Sequence, residues 1–97
     1  MKLLKLMPDY QCYPLWNMSP GEYGDVNPAD LLISKELQLG LVRWAAVYDG
    51  TLNLEYPPAS GFASEEAERE FKQEGGRLAE LLKNELGPDF VVEFRSS

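Results

Sequence analysis

The 97-residue sequence predicts an α+β domain in which two antiparallel helices pack on one face of a small, mainly antiparallel sheet. Periodicity and punctuation carry that expectation. Residues 34–48 and 64–86 hold apolar side chains at helical spacing, and each run opens on a serine and closes on a glycine. Residues 90–94, Phe-Val-Val-Glu-Phe, alternate with a period of two, as a half-buried strand does. A leucine-rich N-terminus supplies further strand. At this length a single domain spanning residues 1–97 is the expected organisation.

Residues 2–7, Lys-Leu-Leu-Lys-Leu-Met, read as a short strand ended by Pro8. Residues 10–16 are rich in aromatics, but Pro14 lacks an N–H for a ladder, which predicts an edge strand or an extended arm. Residues 17–33 contain Pro20-Gly21, Gly24 and Asn27-Pro28 without periodicity and read as one long loop. Ser34 is the expected cap of the first helix, where Leu37, Leu41, Trp44 and Tyr48 share one stripe. Leu39, Val42 and Ala46 fall on the opposite side. That second apolar face is either sandwiched in the core or covered by another chain.

Asp49-Gly50 closes the first helix with a residue able to take positive φ, and residues 51–56 read as extended before Pro57-Pro58. Ser64 caps the second helix, whose buried stripe is Ala67, Phe71, Gly75, Leu78, Leu82 and Leu86. Gly75-Gly76 costs about 1 kcal/mol per glycine relative to alanine inside a helix. Close approach of the first helix at Gly75 is the expected reason. Gly87-Pro88 stops the helix.

The chemistry is mostly bounded by exclusion. There is no histidine, and Cys12 is the only cysteine, which denies the chain its commonest general base and any internal disulfide. A lone thiol fits a reducing compartment, so the cytoplasm is the expected address. No glycine-rich phosphate loop is present, and no catalytic group, metal site or cofactor is expected. The glutamates at 65, 66, 68, 70 and 74 circle their helix among Arg69 and Lys72, the pattern of a solvated face. No apolar run suits a membrane.

Nine basic and sixteen acidic residues give a net charge of −7, of which −5 lies in residues 51–97. Such a surface repels nucleic acid and attracts a basic protein, although the same charge also serves solubility. The residues left for recognition are Tyr10, Tyr13, Trp16 and Tyr23 with the acids Glu22, Asp25 and Asp30, joined by Glu65 and Glu66 at the start of the second helix. Tyrosine and tryptophan serve docking surfaces because each offers a rigid ring with one polar end. Core packing competes for Tyr13 and Trp16. A homodimer or adaptor using the second apolar face of helix 34–48 is the alternative reading.

Five short motifs carry a resemblance over nearly the whole chain: Leu-Lys-Leu-Met-Pro-Asp-Tyr at 4–10, Tyr-Pro-Leu-Trp at 13–16, Tyr-Asp-Gly-Thr-Leu-Asn at 48–53, Ser-Gly-Phe at 60–62 and Glu-Leu-Gly-Pro-Asp at 85–89. The sequence resembles small acidic bacterial proteins found as orphans and beside toxin genes. Some of these act as immunity proteins in contact-dependent inhibition and related polymorphic-toxin systems. The resemblance implies a stoichiometric, non-enzymatic inhibitor that binds a cognate toxin domain with a basic surface. Many such toxins attack nucleic acid, so a nuclease is the implied target.

Overall fold

The computed structural model describes residues 2–21, 23–52 and 61–95. Strand β1 (Lys2–Leu6) lies inside the sheet and turns Leu4 and Leu6 into the core, while the alternation sends Lys5 to the other face. It is flanked by β2 (Leu15–Asn17) on one side and β4 (Phe90–Phe94) on the other, and β3 (Gly24–Val26) extends the sheet to the order β3-β2-β1-β4. The β1–β2 and β2–β3 pairs are antiparallel, with Leu6 opposite Leu15 and Leu15 opposite Val26. β1 and β4 run parallel, with Leu4 opposite Val92. The sheet is therefore mixed but mostly antiparallel, and the parallel pair reflects the chain returning to β4 only after both helices.

Both helices start where their caps predict. In α1 (Lys35–Asp49) the Ser34 hydroxyl accepts from the Leu37 N–H, and in α2 (Glu65–Leu86) the Ser64 hydroxyl accepts from the Ala67 N–H. Gly87, at φ 77°, ends α2 in a conformation that a side chain would strain. The helices are antiparallel. The start of α1 meets the end of α2, where Glu85 accepts from the Ser34 N–H at 2.6 Å and from its hydroxyl at 2.9 Å. The end of α1 meets the start of α2 through Tyr48, whose ring lies 5.7 Å from that of Phe71.

Between those ends Trp44 fills the gap. Its ring stacks on Phe71 at 4.4 Å with 3° between planes, and its Nε1–H donates to the Phe71 carbonyl at 2.9 Å. That carbonyl is reachable because Gly75, one turn along, has no side chain. A Cβ there would stand 2.7 Å from Trp44 Cζ2 and 2.6 Å from Phe94 Cε1, inside contact distance. The close approach expected at Gly75 is thus made by a ring of α1 and a ring of β4 together. The surrounding core holds Leu6, Leu15, Leu37, Leu41, Leu78, Leu82 and Val92.

Four details depart from the sequence reading. Residues 10–14 form a turn, so the second strand is confined to Leu15–Asn17. The span 17–33 contains β3 and a one-turn 3-10 helix at Pro28–Asp30, capped by the Asn27 side chain. A three-residue Gly-Asp-Val strand has no alternation to detect, and only its pairing with β2 makes it a strand. Gly50 sits at φ −65° because the chain runs on into a turn in which Thr51 N donates to Tyr48 O and Leu52 N to Asp49 O. Phe94, expected inside, is 37% exposed with one edge against Gly75. The extended stretch expected at residues 51–56 falls mostly outside the described residues, which end at Leu52.

The paired glycines separate two effects. Gly75→Ala should destabilise the domain by about 1–3 kcal/mol through overpacking against the two rings. Gly76→Ala meets only Phe94 Cε2, at 4.0 Å, so it should stabilise by up to about 1 kcal/mol through helix propensity. Leu82→Ala, deep in the core, should cost about 2–5 kcal/mol. Urea unfolding of the three variants checks both signs.

Candidate functional site

The irregular segment between β1 and β2 is anchored by polar groups at both ends. Asp9 Oδ1 accepts from the Tyr10 N–H at 2.8 Å, and Gln11, at φ 59°, is the left-handed residue that turns the chain. The Gln11 N–H then donates to Asp49 Oδ1 at 2.8 Å, at the last turn of α1. Tyr10 stacks on Tyr48 at 4.6 Å and its hydroxyl shares a hydrogen bond with Thr51 Oγ1 at 3.1 Å. Tyr10 is thereby half-buried, a clamp between this loop and α1.

Beyond the clamp the aromatic and acidic residues spread over the β2–β3 ribbon. The Tyr13 N–H donates to Asp25 Oδ2 at 3.2 Å, and Asp25 lies directly opposite Trp16 in the β2–β3 register. Trp16 is half-buried, its Nε1–H donating to the Met7 carbonyl at 3.1 Å. Tyr13 is 42% exposed and Tyr23 is 68% exposed. Asp30 is exposed on the 3-10 turn, and Glu65 and Glu66 are exposed in the first turn of α2. Glu22 lies outside the described residues. Tyr13, Trp16 and Asp25 are thus brought together, with Tyr23 just before β3, whereas no hydrogen bond or ion pair among the described residues joins them to Asp30, Glu65 or Glu66.

The sequence reading missed two acids at this corner. Partial burial pushes the Cys12 thiol above its ordinary pKa, and the carboxylates of Asp9, Asp25 and Asp49 add to the rise. These three acids stand 16 and 24 residues apart in the chain, so no local pattern announces them. The hollow beside them, about 410 Å³, has Pro14, Val42, Ala45 and Ala46 among its walls and no basic residue. A second groove, about 460 Å³, runs between the helices over Trp44 and Phe71, with Glu36, Glu70, Glu74, Arg43 and Arg77 along it. Two short contacts from Arg77 hold the Glu74 carboxyl below its usual pKa.

The raised pKa disfavours the Cys12 thiolate, the reverse of what activates a cysteine nucleophile. Among the described residues no group of three or more His, Cys, Asp or Glu is placed to hold a metal ion, and no helix is long and apolar enough to cross a membrane.

These features define a class: a small acidic α+β domain that carries its carboxylates, with Tyr13 and Tyr23, on its surface. The chain belongs to the Serratia CdiI immunity protein-like family, which it matches over residues 2–97. No curated protein matches it. The resemblance carried by the short motifs is therefore shown at the level of the family.

The acidic corner has a direct readout. Alkylation of Cys12 followed against pH should show an inflection above that of an ordinary cysteine, and Asp25→Asn or Asp49→Asn, which keep an acceptor for the loop N–H groups, should lower it. An inflection unmoved by either variant would remove these carboxylates from the thiol's surroundings.

Proposed function

We propose that this chain is a stoichiometric inhibitor: it binds a cognate toxin domain and neutralises it by covering or locking it, without catalysing a reaction. The observation that carries this reading is family membership over nearly the whole chain. The net charge of −7 supports a partner with a basic surface, and a nuclease is the toxin class that needs such a surface to hold nucleic acid. The acids of this chain then stand where phosphates stand. Toxin and inhibitor meet in the cytoplasm, where the target nucleic acid is found.

The docking surface is the segment from Tyr10 to Asp30, Glu22 included by sequence, with Tyr13, Trp16, Tyr23 and Asp25 as its centre and Glu65 and Glu66 as outlying acids. Within it Tyr23 is the best anchor, a large ring with no described hydrogen bond and most of its surface in solvent. Tyr10 contributes by holding the loop against Tyr48 rather than by contact. Interface energy concentrates in a few aromatic and charged residues, which places the weight on Tyr23 and Asp25.

Tyr23→Ala and Asp25→Lys should each weaken binding to the toxin domain by about 2 kcal/mol or more. Tyr23→Ala should leave stability within about 0.5 kcal/mol, and Asp25→Lys should cost about 1 kcal/mol, because it removes the acceptor for the Tyr13 N–H. Calorimetric titration against a candidate cognate toxin domain, with thermal melts in parallel, measures both. Unchanged affinity in the double variant would move the docking surface elsewhere, to the exposed helix faces first.

A further inference from the structure

The second apolar face of α1 is open to solvent: Leu39 is 54% exposed, Val42 is 48% exposed, and Ala46 between them and the helix end is exposed as well. With Lys35 before them and Asp49 after them these residues form one stripe, at spacings of four, three, four and three. Both ends are exposed. The stripe is ordered by charge, basic at its start, apolar in the middle and acidic at its end.

That order runs against the helix's own dipole. A lysine in the first turn and an aspartate in the last turn each face the end of like sign, which is unfavourable at both ends. The same two charges suit a neighbouring α1 lying antiparallel. Val42 is seven residues from Lys35 and seven from Asp49, so a two-fold axis through Val42 sets Lys35 of each copy beside Asp49 of the other. Each charge then also faces the favourable end of the neighbour's dipole. Along the seam Val42 meets Val42, and Leu39 falls against the other copy at Ala45 and Ala46, where small side chains leave the hollow walled by Pro14 and Val42.

We propose that α1 is a self-association surface, and that two copies of this chain pair through antiparallel α1 helices centred on Val42. The occupant is a second copy because the face is complementary to itself in charge and in shape, big Leu39 against small Ala46, about one axis. Such a contact belongs to the small end of stable interfaces, below about 1,200 Å² of total buried area, so the pairing is reversible and concentration-dependent. It does not rest on the toxin-binding reading, although its seam borders the hollow that Tyr13 and Asp25 also line, and its test uses this chain alone.

Sedimentation velocity from about 1 to 500 µM, the range over which weak interfaces assemble, should show the mass rising from 11.0 kDa toward twice that value. Val42→Asp should hold the chain at the monomer mass with an unchanged melting temperature. Lys35→Asp and Asp49→Lys should each weaken association by about tenfold, because each sets like charges against one another at both ends of the seam. Their combination should restore association to within about threefold of the original, since the swapped pairs reform. Both swaps favour the α1 dipole, but Asp49→Lys also removes the acceptor of the Gln11 N–H, so thermal melts of each variant run beside the sedimentation and the comparison is made between folded chains. A monomer at every concentration, a dimer indifferent to Val42→Asp, or a double variant no tighter than the singles would overturn the pairing.

Discussion

The insertion of Trp44 against the bare backbone at Gly75 is the contact on which the other packing depends. It sets how closely α1 and α2 approach, because the indole can donate to the Phe71 carbonyl only where no Cβ intervenes. It also fixes the sheet, since Phe94 of β4 completes the same slot from the other side. Two helices and the strand that follows them are thus registered at one point. A small core has few layers to share such a task, which is why a glycine costly to helix propensity occupies a fully helical position.

The motifs that mark the family turn out to be joints of the fold. Residues 4–10 and 48–53 are far apart in sequence, yet Tyr10 stacks on Tyr48 and bonds to Thr51, while Gln11, just beyond the first motif, is held by Asp49. Phe62, in the fourth motif, packs edge-on to Tyr48. Glu85, in the last motif, holds Ser34 at the start of α1. In these segments the resemblance therefore reports architecture, whereas Tyr23, outside every one of the motifs, stands 68% exposed.

Much of this was legible in the residues. Ser34, Ser64 and Gly87 mark helix ends because capping is local chemistry, and the stripes from Leu37 to Tyr48 and from Phe71 to Leu82 mark buried faces because helical periodicity is local too. The open question about Leu39, Val42 and Ala46 was also visible, and their exposure answers half of it. What stayed hidden is tertiary. A Gly-Asp-Val strand exists only beside its neighbour, Tyr10 becomes a clamp only when Tyr48 arrives beneath it, and the acids at 9, 25 and 49 gather around Cys12 only after three separate segments meet. Of the candidate site, the pairing of Tyr13 with Asp25 was equally out of reach, because it runs from a turn to a strand that the sequence does not announce.

In the function proposed above, an acidic domain that presents rings and carboxylates on its surface would act by occupying space and charge, and such an inhibitor would be consumed in proportion to its target. The most direct test of that account is a titration of a candidate cognate toxin domain's activity with this chain, at toxin concentrations well above the dissociation constant. Inhibition should rise linearly and reach completion at one chain per toxin, with the mass of both proteins unchanged afterwards. Complete loss of toxin activity at a small fraction of an equivalent, or no loss at several equivalents, would contradict it, the first by revealing turnover and the second by removing the partner.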